Sequence, residues 1–443
     1  VEKPAAFCEK GQSVTRQKKV IAKNFLVMMT AAPLGAAVNF VMTMSIARFL
    51  KSDGFGFYSQ IISYISIFQI LIEGSRPVII KKITADPARL TDTVATTKSL
   101  LWSLSGICFG VMLVVMQLTP GLQDLRLPVF FVSCFGALAL FHALGYGIMF
   151  IAAEKMELNA LGSVSHKLLA FGLVMAVLLL DPTLTGVLAA IGGANYALWG
   201  FYVWLYRRHF PPFRLSFDSV RMGALFREIV VTGATVILRR ISWNADIIIL
   251  SILSSAVSVG IFNGAYLVIQ SLNMIPWIGT LAFYPHFARM ASEPESRRQF
   301  LKTICKGLLV FYGLVLPMIA MVSLFVDDLV VRILGASFDA TVPVMQVLIW
   351  DLACSLPISF LFYVLNVIGH EKVYLVLIGI GLGLNILLDL LLVPHFDAMG
   401  AAVGTLGADL FTIVSLLAFL FRRGMKSGRR KAATVYNPKS AGS

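Results

Sequence analysis

Charge is what this sequence has least of. Only 14% of its 443 residues are Asp, Glu, Lys or Arg, where a soluble chain carries about 25%. Long polar stretches are missing between the apolar ones, which recur at about 20 residues, the length of a membrane-crossing helix. Segments of about 10 residues with alternating polarity are missing too, which excludes a closed β-barrel. Cysteine is sparse: Cys8, Cys108, Cys134, Cys305 and Cys354 are scattered without paired spacing, so neither a disulfide framework nor a metal site is expected. There is no Gly-Lys-Ser/Thr phosphate loop, and no inner loop longer than about 22 residues to hold a nucleotide-binding domain. The longest outer loop, near 327–341, is about 15 residues and leaves no room for an outer catalytic domain. No carboxylate pair, Ser-His pair or His cluster has spacing that suggests bond-breaking chemistry, so the chain is not expected to be an enzyme. The basic first 24 residues lack an apolar core followed by a small-residue cleavage site, so no cleaved signal peptide is read there.

What the sequence has instead is apolar length: 58% of residues are hydrophobic and mean hydropathy is +0.83. Twelve spans are expected, at 25–47, 57–80, 99–118, 128–152, 164–180, 185–206, 228–251, 259–283, 304–326, 342–366, 373–392 and 399–421. The net charge of +14 invites a nucleic-acid reading, but the basic residues lie in loops and tails between apolar runs. With the N-terminus inside, about 30 of the 37 Lys and Arg residues fall on the inner side and about 4 on the outer, as the retention of positive charge in the cytoplasm requires. Both termini are therefore expected in the cytoplasm, with no nucleic-acid partner.

A weak internal repeat organises the spans. GFGFYSQIISYI at 54–65 resembles VGIFNGAYLVIQ at 259–270, and each opens a span on the outer side. The longest internal basic stretch lies between them. The expected layout is a basic N-tail (1–24), a six-helix bundle (25–206), a cytoplasmic linker (207–227), a second six-helix bundle (228–421) and a basic C-tail (422–443). Two like-oriented bundles of this kind hold a substrate site between them.

The residues that stand out are charges inside apolar runs, each of which costs roughly 2.5–3.5 kcal/mol on insertion scales unless it meets a partner or water. Arg239 and Arg240 sit near the middle of the seventh span, pointing about 100° apart. One is expected to face a cavity and the other its rim or a neighbouring helix. The alternative, a span beginning near Ile241 with both arginines snorkelling to the cytoplasmic interface, erases the next outer loop. Arginine's planar fork suits a phosphate or carboxylate. Asn244 lies one turn beyond Arg240, and Asp246 about 10 Å nearer the outside than Arg239 on nearly the same face. Asp246 is either a cation or proton site or a salt-bridge partner. Glu73 and Arg76 are three apart on one helix face and either neutralise each other or lend Arg76 to the cavity and Glu73 to ion coupling. Pro33 with Asn39, and Pro276, are intramembrane helix breakers. Asp351, Asn385, Asp389 and Asp409 are polar positions in the late spans; Asp389 reads as bland, and Asp351 and Asp409 as lining residues or an internal pair. His142 reads as a packed polar residue.

VGIFNGAYLVIQSLNMIP, FYPHFARM, LGASFDATVPVMQVL, NVIGHEK and LNILLDLLLVPHFDAMGAAVGT follow one another in the order seen in the polysaccharide transporter family. ARFLKSDGFGFYSQI resembles that family's first loop and second span. The likeness covers about 45–80 loosely and 240–410 well. It implies membership of the multidrug/oligosaccharidyl-lipid/polysaccharide exporter superfamily, an all-α polytopic membrane fold of about twelve helices in two pseudo-symmetric bundles around a central cavity. It further implies a flippase of the bacterial cytoplasmic membrane that moves undecaprenyl-diphosphate-linked glycan units outward by alternating access. Membrane lipids and polysaccharide polymerase or assembly proteins are then the implied partners, with no cofactor beyond a coupling ion, H+ or Na+. Arg239, Arg240, Arg76, Asn244 and Asn39 would line the substrate cavity, with Asp246 and Glu73 as coupling sites. The chain departs from the fourteen-span lipid II flippases by two spans. A cation-coupled multidrug antiporter of the same superfamily is the alternative function. A glycan polymerase or ligase is disfavoured by the short outer loops.

Overall fold

Apolar runs with few breakers, placed where water is absent, leave the backbone no partner but itself, and helix is the result. The computed structural model describes residues 14–86, 90–118, 127–272, 297–367 and 369–422. Among these there is no strand. The helices are α1 (Val14–Ala85), α2 (Leu90–Leu118), α3 (Leu127–Ala152), α4 (Met156–Leu180), α5 (Leu184–His209) and α6 (Ser219–Leu253). They continue with α7 (Ala256–Leu272), α8 (Arg297–Leu324), the short α9 (Val326–Ile333), α10 (Thr341–Val367) and α11 (Glu371–Arg422). Among the described residues, eight helices are long and apolar enough to cross a membrane. Side chains such as Leu179, Leu180, Leu309 and Leu324 are exposed, the outward apolar surface a lipid-bathed protein presents.

Two of the helices are each two helices joined at one left-handed residue. Lys51 (φ 59°) interrupts α1, inside the predicted loop 48–56. Asp397 (φ 48°) interrupts α11, between the eleventh and twelfth predicted spans. A non-glycine residue at positive φ is strained unless its surroundings hold it. At Asp397 they do, because the Ser254 hydroxyl donates to its carboxylate. The arms of α11 fold back on each other: an added Cβ at Gly400 would meet the Leu392 backbone, and one at Gly404 the Asp389 side chain.

The chain divides into two compact units, Val1–Asn244 and Ala245–Ser443. The division falls inside α6, so residues 228–244, grouped by sequence with the second bundle, pack with the first unit. In that unit α3 packs most extensively on α5, and α4 on α1 and α5. Gly136 and Gly192 let α3 and α5 touch backbone to backbone, the small-residue contact that membrane helices favour. Asn195 clasps this contact by donating to the Gly136 carbonyl at 3.1 Å and meeting His166 at 2.9 Å. His142 is buried between Trp102 and Trp199, a packed polar residue. In the second unit α10 packs on α11 around Leu361, Val364, Leu365, Tyr374 and Leu416.

Two predicted boundaries move. The sequence reading starts the third span near 99 and the fifth near 164 and counts Lys98 and Lys167 with the adjoining inner loops, whereas α2 and α4 begin at Leu90 and Met156. Lys98 and Lys167 therefore lie inside helices rather than in inner loops. Pro276 and the FYPHFARM segment lie outside the described residues.

α1 and α6 meet at backbone distance in the first unit: a Cβ on Gly233 would stand 2.7 Å from the Gly74 carbonyl oxygen and 2.9 Å from its Cα. Backbone cannot yield as a side chain can. Gly233→Val is expected to destabilise the detergent-purified protein by about 1–3 kcal/mol, read as a lowered Tm. Gly193→Ala, with nothing within 4 Å of its added Cβ, is expected to leave Tm nearly unchanged.

Candidate functional site

The first unit gathers its charges where α1 meets α6. The second arm of α1 and the first part of α6 run antiparallel, since Glu73 meets Arg240 while Lys82 meets Glu228. Arg240 follows Gly233 by seven residues, so both lie on one face of α6, and the glycine contact brings that face close to α1. Arg240 Nε donates to Glu73 Oε2 at 2.7 Å, and its terminal nitrogen donates to Oε1. This is the parallel two-bond geometry that makes Arg–carboxylate pairs strong. The two side chains are 29% and 24% exposed. Lys82 Nζ and Glu228 Oε2, 2.8 Å apart, form a second, more exposed pair further along. Val78, Leu100, Leu225 and Ile229 form a buried cluster where α1, α2 and α6 meet.

This arrangement corrects the expected Glu73–Arg76 neutralisation. Both Glu73 oxygens are taken by Arg240, 167 residues away, and Arg76 is exposed. Asn39 is exposed on α1. Asn244 is buried, and its amide donates to the Arg240 carbonyl at 2.9 Å, one turn back on its own helix. Arg239 lies on α6, with its side chain outside the described residues. Sequence reading missed two cations by counting them as loop residues. Lys98 is 1% exposed; its ammonium donates to the His142 carbonyl at 2.9 Å and stands 3.3 Å from the centre of the Tyr146 ring. Lys167, well inside α4, rests its Nζ in the notch left by Gly35 of α1. The signal was available: each lysine is preceded by a full helical turn without a breaker, and Lys167 is followed by an uninterrupted apolar run, LLAFGLVMAVLLL.

The second unit gathers carboxylates. Asn385 and Asp389 lie one turn apart on one arm of α11, Thr405 and Asp409 one turn apart on the other, and the fold-back brings the arms together. Asp246 of α6 enters there. Its Oδ1 accepts from Asn385 Nδ2 at 3.0 Å and its Oδ2 from Thr405 Oγ1 at 3.1 Å. The Asp389 carboxyl faces Asp246 at hydrogen-bonding range. Asp389 is fully buried, and neither of its oxygens receives a donor among the described residues. Asp389 is therefore not bland, and Asp246 forms no ion pair with an arginine among the described residues. Asp351 of α10 is buried, and its Oδ1 has no hydrogen-bond partner among the described residues. No ion pair joins any of the four to a Lys or Arg among the described residues. No group of three or more His, Cys, Asp or Glu side chains suited to hold a metal occurs among them either. Cys108, Cys134, Cys305 and Cys354 are free thiols.

Eight long apolar helices among the described residues, with polar side chains grouped inside each unit, define a multi-pass membrane protein. The family model described as polysaccharide biosynthesis protein matches residues 21–291, more than half of the chain, and the chain belongs to that family. The teichuronic acid biosynthesis protein TuaB of Bacillus subtilis (strain 168) is 24% identical over 253 residues, 55% of this chain and 51% of TuaB. The aligned part thus spans about half the length of that curated relative. The solved structure of the lipid II flippase MurJ, in an inward closed conformation, superposes with a TM-score of 0.73 at 11% identity, covering 89% of this chain and 87% of that one. The multidrug transporter DinF-BH gives a TM-score of 0.60 at 17% identity over 94% and 97% of the two chains. At such identities these likenesses show the fold alone, one that the chain shares with both structures.

The Glu73–Arg240 pair makes a direct prediction. Arg240→Glu is expected to lower the Tm of the purified protein, and the exchange Glu73→Arg/Arg240→Glu to recover most of the loss. The double-mutant cycle should yield a coupling of about 1–3 kcal/mol. The cycle of Arg76 with Glu73 should give none.

Proposed function

We propose that the protein is a flippase that carries undecaprenyl-diphosphate-linked glycan repeat units from the cytoplasmic to the outer face of the bacterial cytoplasmic membrane by alternating access. The observation that carries this reading is the segregation of charge between the two units. The apolar helices of the first carry Arg76, Lys98, Lys167 and Arg240 within their length, of which Arg240 is paired with Glu73. Those of the second carry Asp246, Asp351, Asp389 and Asp409, with no ion pair to a Lys or Arg among the described residues. A cargo with a diphosphate needs cationic partners, its glycan needs a polar cavity, and its lipid tail stays in the bilayer. A coupling cation, H+ or Na+, needs carboxylates kept away from competing bases.

In this reading Glu73 holds the Arg240 fork while no cargo is bound, and the diphosphate displaces it. Such an exchange avoids leaving a guanidinium bare in a region of low dielectric. Arg76, exposed one turn from Glu73, and Arg239 add cationic reach; Asn39 and Asn244 supply amide groups near the same helices. Asp246, with Asn385, Thr405 and Asp389 around it, is the coupling site. The family membership supports the glycan assignment, as do the functions of two similar proteins, teichuronic acid biosynthesis and lipid II flipping. The positive-inside count supports cytoplasmic termini.

Arg239→Ala/Arg240→Ala is expected to reduce surface glycan assembly in the native host by about 10-fold to 100-fold, as loss of hydrogen bonds to a charged group implies. Unchanged glycan display by a normally inserted double variant would overturn the assignment of these arginines. The rival reading, a drug antiporter, draws on the acid cluster of the second unit. It predicts cationic-dye efflux on expression that Asp246→Asn abolishes, whereas the flippase reading predicts no dye efflux from either protein.

A further inference from the structure

The first unit holds a cavity of about 210 Å³ apart from its ion pairs. Three helices wall it, with Ile62, Ser66 and Gln69 from α1, Leu140 from α3, and Leu188 and Ile191 from α5. The backbone contact of Gly136 with Gly192 closes one side. None of its lining residues is charged or aromatic. The Asn195 amide in the wall is engaged with the Gly136 carbonyl and His166, and the Ser133 hydroxyl donates to the Val129 carbonyl at 2.6 Å. Gln69 and Ser66 make no side-chain hydrogen bond among the described residues. The space is far larger than the roughly 10–15 Å³ that admits one water, yet several waters inside it would find few partners. It is smaller than the roughly 300–1,000 Å³ that encloses a whole ligand. It therefore suits one part of a longer molecule: an uncharged, mainly apolar stretch next to a hydrogen-bond acceptor.

The position of the cavity on α1 points to the molecule. Ser66, Gln69, Glu73 and Arg76 fall within about 80° of arc on one side of the helix. Gln69 stands one turn, about 6 Å along the axis, from Glu73, whose carboxylate holds Arg240. Along this line an apolar cavity is followed by neutral donors and then by guanidinium groups, the order of parts that a prenyl diphosphate requires. A phospholipid has a glycerol and ester groups between its phosphate and its acyl chains, whereas a prenyl chain starts at the carbon bonded to the diphosphate oxygen. We propose that the cavity binds the first isoprene units of a polyprenyl diphosphate, with Gln69 and Ser66 donating to oxygens where chain and head join. The rest of the chain stays in the bilayer. The inference rests on the flippase reading for the diphosphate at Arg240, and adds a subsite that recognises the carrier lipid rather than the glycan.

Titration of the detergent-purified full-length protein with farnesyl, dodecyl and inorganic diphosphate, followed by the rise in Tm, tests this. The wild type is expected to bind farnesyl diphosphate about 10-fold more tightly than inorganic diphosphate, as burial of about two methylene equivalents implies. It is expected to bind dodecyl diphosphate less tightly than farnesyl diphosphate. Ile62→Phe and Ile191→Phe fill the cavity from different helices. Each is expected to lose the gain from the prenyl chain while binding inorganic diphosphate as before, and if one folds poorly the other decides. Equal binding of farnesyl and inorganic diphosphate by the wild type overturns the proposal, as does a gain that survives both substitutions. A straight chain bound as well as the branched one also overturns it, by making the cavity a general acyl site. These failures leave the flippase reading untouched, because the arginines are judged by inorganic diphosphate and glycan display. Binding of none of the three overturns both, since the diphosphate site itself is then missing.

Discussion

A charge in hydrocarbon must find a partner, and most of what this structure does with its polar residues follows from that constraint. Arg240 and Glu73 satisfy one another with two parallel hydrogen bonds. They do so only because Gly74 and Gly233 allow α1 and α6 to meet at backbone distance. A larger residue at either position would hold the helices apart and leave a guanidinium and a carboxylate separately desolvated. The glycines are thus as necessary to the ion pair as the ions are. Lys98 obeys the same constraint with poorer means, taking one carbonyl and one aromatic face. The aromatic face supplies its electrons where no carboxylate is at hand.

The second unit meets the constraint from the acidic side. Its fold-back at Asp397 and its small residues Gly400 and Gly404 press the two arms of α11 together, so that side chains one turn apart on each arm converge. Asp246 then receives donors from both arms. Asp389, fully buried opposite Gly404, has no space to move away and no donor among the described residues. Burial of carboxyl groups without donors is costly. The same tight backbone contact therefore serves opposite ends in the two units: it completes an ion pair in one and leaves buried carboxyl oxygens without donors among the described residues in the other.

The helical, membrane-spanning character was legible because apolar length is written residue by residue. The breaks at Lys51 and Asp397 fall within predicted connections for the same reason: polar residues cluster there. What was not legible was tertiary. Glu73 and Arg76 are neighbours by helical spacing, and a local rule pairs them, yet a contact from a distant helix captured both carboxylate oxygens. Asp389 looked bland because its distance along the span was judged without the fold-back. The small residues of GAAVGTLG were the clue that another backbone passes close by. Lys98 and Lys167 were assigned to loops because span edges were drawn at the nearest charge, whereas a helix continues through a charge whose partner the fold provides.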